Sequence, residues 1–301
     1  MPLLRTVAES LSNNELVQGV IEEIIDRDEL FALLPFTKVN SKAYVYNREG
    51  VLSEAEFIDV NAVVPEGAST VIEVTTHLRV LAGDVDVDKF LDGTMDDTNS
   101  QKAIQIAMKA KGLGRKFRRT LVNGDVSVDA LEFDGINKII SVTGKETTAG
   151  TNGGALTLAL LDELRDQVPN MPDAYMMRSG TFRALKQLLR AAGGNTAEMF
   201  QIENFGRSIP AFDGTPIIIN DFVPGNVAQG SASATCSIYA LRLNEVDGLH
   251  GIYGGAEAGV IMEDIGTVQN KDATRTRLKW YCGLALKSTQ SAAALRGITN
   301  V

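Results

Sequence analysis

The sequence predicts an α+β fold, with helices gathered in the middle of the chain and strands toward its end, and not a doubly wound sheet. Three observations carry this. Helical periodicity dominates from about residue 99 to 192, period-two alternation dominates the last third, and two strand-like segments near the start are separated by an excursion of about twenty residues.

Ser12-Asn13-Asn14-Glu15 is a capping-box pattern, and Leu16, Val17, Val20, Ile21, Ile24 and Ile25 recur at three- and four-residue spacing. They predict a helix from about Ser12 to Arg27 that needs a partner surface. Leu30 to Leu34 adds a further turn, ended by Pro35. Tyr44 and Tyr46 then alternate within Lys42 to Arg48. Across Thr70 to Leu81, Ile72, Val74, Thr76, Leu78 and Val80 alternate with Glu73, Thr75, His77 and Arg79. The acidic excursion between the two strands, Glu49 to Ser69, is too long for a hairpin turn. A two-stranded ribbon with so little core is marginal in water, so it is expected to lie on another surface.

From about Asn99 to Val122, Ile104, Met108, Leu113, Phe117 and Leu121 mark the apolar side of a long helix. Gly112 and Gly114 inside it point to a bend or a close backbone approach, and Asn123-Gly124 ends it. A connection through Phe133 to Ile140 and a polar loop from Thr143 to Gly154 lead to two amphipathic helices. These span about Ala155 to Val168 and about Thr181 to Ala192, the second closed by Gly193-Gly194. Ile209 to Pro224 reads as a turn through Gly214 and Pro216, a buried strand Ile217 to Ile219, and a second turn through Asn220-Asp221. Ser237 to Leu243 and Gly259 to Val268 are short strands. Arg275 to Lys287 is the clearest one, with Leu278, Trp280, Cys282, Leu284 and Leu286 on one face, so the lone tryptophan belongs in a core.

At 44% hydrophobic and 22% charged residues, the chain has an ordinary globular composition. No apolar run approaches the roughly 18 residues of a membrane-spanning helix, and the N-terminus has no export-signal pattern. Cys236 and Cys282 lack metal-type spacing and fit reduced core residues of a protein made in a reducing cytoplasm. The net charge of −9 argues against a general nucleic-acid coat. Charge is nevertheless segregated: Asp84, Asp86, Asp88, Asp92, Asp96 and Asp97 precede a basic stretch of Lys102, Lys109, Lys111, Arg115, Lys116, Arg118 and Arg119. Two readings stand open, complementary charge within the protein or between copies of it, and two solvated surfaces of opposite sign.

Chemistry leaves little trace. With only His77 and His250, metal sites and relay chains have few candidates; His77 falls on the polar face of a strand and His250 in a glycine-rich loop. Asp84-Val85-Asp86-Val87-Asp88 resembles a calcium loop only superficially, because Lys89 stands where glycine is required and Met95 where glutamate is; a strand or turn explains it better. Gly112-Leu113-Gly114 lacks the third glycine of a dinucleotide fingerprint, and no phosphate-binding loop occurs. No catalytic residue, cofactor or metal is expected.

The order of an N-terminal helix, a two-stranded excursion, a long helix, paired helices and a strand-rich end resembles the major capsid protein of tailed bacteriophages, with the Hong Kong 97-type fold. Phe212-Asp213-Gly214-Thr215-Pro216-Ile217-Ile218-Ile219-Asn220-Asp221 is similar to that family's glycine-x-proline strand and turn. Ser237 to Ile265, with Tyr253-Gly254-Gly255 and Gly259 to Glu263, and Arg275 to Lys279 leading to Ala292 to Ile298, are similar to its ending. The resemblance implies an N-terminal arm over residues 1–36, an extended loop over 37–82, a peripheral domain over 83–168 with a spine helix at about 99–122, an axial domain over 169–262, and closing peripheral strands over 263–301. It further implies a shell of pentamers and hexamers, in a virion assembled in the bacterial host cytoplasm, around double-stranded DNA held non-specifically. A portal protein belongs to such a head, and the resemblance leaves open whether decoration proteins bind outside.

Only about 36 residues precede the excursion, so a separate scaffolding protein is expected; residues 49–69 contain no lysine, so a shell without covalent cross-links is expected. The expected inter-subunit contacts are Glu54, Glu56, Asp59, Asp84, Asp86, Asp88, Lys109, Arg115, Arg118 and Arg119. An encapsulin-type compartment shares the fold and is the alternative; an enzyme of unrecognised class, with a pocket around carboxylates and His250, is the remote one.

Overall fold

The computed structural model describes residues 30, 33–89, 98–193, 199–201, 208–255, 259–269 and 271–299. The helix expected from Ser12 to Arg27, and Asp92, Asp96 and Asp97, lie outside them. Leu30 and Leu33 are helical, with the Leu34 amide donating to the Leu30 carbonyl at 2.8 Å. The chain then forms β1 (Phe36–Lys38), β2 (Ala43–Glu49), β3 (Val71–His77) and β4 (Arg79–Asp88). The single strand expected across Thr70 to Leu81 is therefore two. At Leu78 the amide donates to the Lys42 carbonyl (3.0 Å), closing the base of the β2–β3 hairpin, and β4 departs to another sheet.

Helix α1 (Thr98–Asn123) runs unbroken through Gly112 and Gly114. Its buried side is Ile106, Ala110, Leu113, Phe117 and Leu121. Met108, expected on that side, is 62% exposed, because Ile106 and Ala110 centre the apolar stripe away from it. The expected connection after α1 contains a helix of its own, α2 (Ile136–Thr143), which ends at Gly144 in the left-handed conformation (φ 73°). The polar loop contains β5 (Glu146–Thr148). Next come α3 (Leu158–Asp166), capped by the Thr157 hydroxyl accepting from the Leu160 amide, then β6 (Ala174–Met177) and α4 (Ser179–Ala191).

The remainder is strand: β7 (Met199–Gln201), β8 (Ser208–Phe212), β9 (Thr215–Ile219), β10 (Val227–Gln229), β11 (Ala232–Leu241), β12 (Leu249–Gly254), β13 (Ile261–Thr267), β14 (Ala273–Leu286) and β15 (Ala292–Ile298). Asp213 (φ 49°) and Gly214 (φ 75°) form the two-residue turn between β8 and β9, with both central residues at positive φ; Pro216 lies inside β9 and not in the turn.

Among the described residues these strands make two large sheets. One has five strands ordered β1-β12-β14-β13, with β4 also on β14; the other has eight, ordered β5-β15-β11-β6-β9-β8-β7, with β10 on β11. Two faces of the second sheet are buried. Met176, Ile218, Tyr239, Leu241 and Ala294 join α1, α2 and the inner face of β14 in one core, while Tyr175, Ile217, Ile238, Ala240 and Leu295 pack against α3 and α4. Period-two side-chain alternation allows one strand to serve both cores. A turn at Thr289–Ser291 carries the chain from β14 in the five-stranded sheet to β15 in the eight-stranded one.

Candidate assembly surfaces

The β2–β3 hairpin pairs Ala43 with His77 at its base and Glu49 with Val71 at its far end. One face rests on the body. The Tyr46 hydroxyl donates to the Leu286 carbonyl (2.7 Å), and Arg48 donates through Nε to the Lys287 carbonyl (2.6 Å) and through Nη2 to Leu286. Two carbonyls at the end of β14 thus anchor the ribbon, which its own apolar contacts would not hold. Beyond Glu49 the ribbon continues through the Gly50 amide to the Thr70 carbonyl (2.8 Å) and ends in a turn closed by the Ala62 amide on the Asp59 carbonyl, with Asn61 at φ 63°. Asparagine tolerates this left-handed position better than most residues.

This tip carries Val51, Leu52, Phe57, Ile58, Val60, Val63 and Val64, all exposed, with Val63 91% accessible. None belongs to the core clusters formed by the described residues. Glu54, Glu56, Asp59 and Glu66 are interleaved with them, and residues 50–70 contain no cation. A patch of that composition, apolar and of one charge sign, marks a surface built to be covered.

The outer face of the five-stranded sheet carries a ladder of ion pairs. Arg275 holds Asp86 bidentately (2.7 and 2.8 Å), Arg277 holds Asp84 the same way (2.7 and 2.9 Å), and Lys279 reaches Glu263 (2.6 Å). Hydrogen bonding from Arg277 keeps the Asp84 carboxyl below its usual range, and Arg275 does so for Asp86. Asp84 and Asp86 thus meet arginines of β14 within the same chain, and not the basic stretch of α1. Their partners were visible as the alternating Arg275-Thr276-Arg277 of a strand, but their pairing depends on the β4–β14 register. Asp88 is exposed at the end of β4. On α1, Lys109, Arg115 and Arg119 are exposed, while Arg118 is partly buried; Lys109 lays its stem across Gly83, where a Cβ would meet its Cε at 2.3 Å.

His250 lies in β12 and is fully buried, not in a loop. Gly251 beside it leaves room for the Phe36 ring, which a Cβ there would meet at 2.3 Å. The His250 Nδ1 is 3.3 Å from the Gly248 carbonyl, Nε2 has no partner among the described residues, and the Tyr44 ring stands edge-on at 5.6 Å. Burial lowers its pKa, with Lys287 acting in the same direction and the Gly248 carbonyl and Glu245 opposing. Among the described residues no nucleophile or carboxylate hydrogen-bonds to it, and the ring is packed in the core. Because the folded pKa lies below the unfolded one, the neutral ring's contribution to stability is complete above the unfolded pKa of about 6.5 and is lost as pH falls below it. The melting temperature of the unassembled subunit is expected to drop between pH 7 and pH 5, and His250→Leu is expected to flatten that slope. Equal slopes in both proteins would remove His250 as its origin. The paired carboxylates contribute at lower pH, as it falls through their depressed pKa values.

No helix of the described residues is long and apolar enough to cross a membrane. Among them, no group of three or more metal-ligating side chains converges. No family model matches the sequence, and no curated protein matches it in sequence. Solved structures do match in fold. The encapsulin of the holo-SrpI complex from Synechococcus elongatus superposes with a TM-score of 0.67 at 21% identity, covering 89% of this chain and 86% of that chain. The capsid of a native GTA particle gives 0.62 at 13% identity, covering 89% of each chain. The chain has the Hong Kong 97-type capsid fold. A structure from Mycobacterium phage Bobi has it as well, with a TM-score of 0.60 at 12% identity over 88% of this chain and 89% of that one.

Proposed function

We propose that this chain is the repeating subunit of the icosahedral head shell of a tailed phage, enclosing its double-stranded DNA. The observation that carries the reading is the uncovered, acidic and apolar hairpin tip on a fold used by shell proteins. A monomer gains nothing from exposing seven large apolar side chains, whereas a neighbour in a ring buries them. The mechanism is assembly, not turnover. Copies form pentamers and hexamers, with a separate scaffolding protein directing closure and a portal protein at the DNA entry. An acidic chain of net charge −9 suits a container that holds DNA without gripping it. Residues 1–36 act as the arm and 37–82 as the extended loop; the peripheral domain takes 83–168 and 263–301, and the axial domain 169–262. Glu54, Glu56 and Asp59 at the tip, and Lys109, Arg115, Arg118 and Arg119 on the spine helix, meet neighbouring copies.

The likeness to an encapsulin at 21% identity favours a second reading, a shell around protein cargo. Sedimentation velocity with negative-stain microscopy of the purified protein tests both. Closed shells or free rings of five and six copies are expected, and their contents, nucleic acid or protein, separate the two readings. A sharp monomer at high concentration, with the neighbouring gene products present, would falsify the shell assignment.

A further inference from the structure

A groove of about 450 Å³ opens at the base of the hairpin, between the β1–β2 connection, the β3–β4 junction and the end of β12. Lys38 ends β1, Lys42 precedes β2 and Arg79 opens β4, so three separate strands each bring a cation to one concavity. No carboxylate lines the groove, and none of the three cations has a side-chain partner among the described residues. Acids outnumber lysines and arginines in this chain, 38 to 29, and the neighbouring Arg275, Arg277 and Lys279 all hold carboxylates. The three cations of the groove are therefore set apart. Leu78, Val80 and Tyr281 form apolar walls, which limit screening by water and focus the field of the charges. Like charges around one concavity repel, and an anion seated among them relieves that repulsion.

We infer that this groove is a binding site for a compact, multiply charged anion of the polyphosphate class, taken up free from solution. Three cations match an anion of two or more charges, whereas a single charge leaves most of the repulsion in place. Arg79 supplies a planar fork that pairs two phosphate oxygens at once, and the lysines supply point charges on flexible stems that adjust to the rest. The volume lies within the range of small-ligand sites. The anion also bridges parts of the fold: Lys42 belongs to the hairpin base, where its carbonyl accepts from the Leu78 amide (3.0 Å), while Lys38 and Arg79 lie on strands of the five-stranded sheet. Binding there ties the ribbon to the body at its root. The rival site is the basic side of α1, with Lys109, Arg115 and Arg119. Those side chains stand exposed on a convex helix surface, where solvent and salt screen them.

The inference does not depend on the shell reading and is tested on the unassembled full-length subunit. Calorimetric titration with pyrophosphate at low salt is expected to show one site, about tenfold or more tighter than for inorganic phosphate. Lys42→Gln and Arg79→Gln are each expected to weaken pyrophosphate binding by about tenfold, the usual loss for a hydrogen bond to a charged group. Saturating pyrophosphate should raise the melting temperature of the wild-type subunit by about 3 °C or more and leave that of the double variant where it was. Without ligand the two proteins should melt alike, since Lys42 is exposed and Arg79 partly so. Lys109→Gln with Arg115→Gln should bind pyrophosphate as the wild type does. Unchanged affinity in the groove variants, or loss in the α1 variant, overturns the inference. So does a hexaglutamate peptide or a single-stranded oligonucleotide that binds the groove where pyrophosphate does not, which would assign it to an acidic protein segment or to a nucleic-acid strand.

Discussion

Trp280→Ala is expected to destabilise the unassembled subunit by about 3–5 kcal/mol, the usual loss for removing a large aromatic side chain from a packed core. Trp280 is 4% exposed, and its ring lies 4.3 Å from that of Phe117 and 6.1 Å from that of Phe36, centre to centre. It thus joins three elements distant in sequence, α1, β1 and the long strand β14. Neither partner can follow a collapsing cavity: Phe117 is fixed by its position on α1, and Phe36 lies over Gly251. Against a total stability of roughly 5–15 kcal/mol for a domain, the loss is large. The measurement is urea unfolding followed by circular dichroism, because the substitution removes the one tryptophan of the chain. The midpoint should fall with the slope unchanged, and Trp280→Phe should lose less. A midpoint shift near zero would mean that the ring does not tie α1 to the sheet.

The elements that were legible in sequence are those with a strong period and a clear stop. The helices α1, α3 and α4 and the strands β9 and β14 all have strong apolar spacing. What was not legible has particular causes. Helix α2 is eight residues long between Gly135 and Gly144, too short for its periodicity to separate it from a connection. Strand β6 (Ala-Tyr-Met-Met) is buried on both faces and so shows no alternation. Strand β12 was hidden by its glycines, which are there because the Phe36 ring needs the space at Gly251. Strand β15 opens with three alanines, whose small side chains carry no periodic signal. The candidate site divides in the same way. The tip was recognisable as an excursion too long and too acidic for a turn. The groove at the base of the hairpin draws on four segments, Lys38 to Lys42, Leu78 to Val80, Gly254 with Gly255, and Tyr281, and only the fold brings them together.

Replacing residues 52–69 by a two-residue Asn-Gly turn is expected to leave the subunit folded and to abolish rings and shells. The tip hydrogen bonds described lie within the hairpin, such as the Ser53 amide on the Ser69 hydroxyl (3.1 Å) and the Val60 amide on its neighbour Asp59 (2.7 Å). The anchors at Tyr46 and Arg48 lie below the cut, and Asn-Gly supplies the positive φ values that a tight hairpin turn requires. The folded subunit therefore loses no core contact, and its melting temperature should hold or rise. Assembly is a different balance. Burying Leu52, Phe57, Ile58, Val60, Val63 and Val64 against a neighbour contributes on the order of 10 kcal/mol per contact, at about 1.5–3 kcal/mol for each large side chain fully covered. Association costs about 4–15 kcal/mol in lost freedom, so most of the surplus that holds neighbours together disappears with the tip. Sedimentation should show a monomer where the intact chain gives particles. Shells of normal size and yield from the shortened chain would mean that the exposed tip is not what joins one copy to the next, and that the ion-pair face of the sheet or the basic face of α1 does so instead.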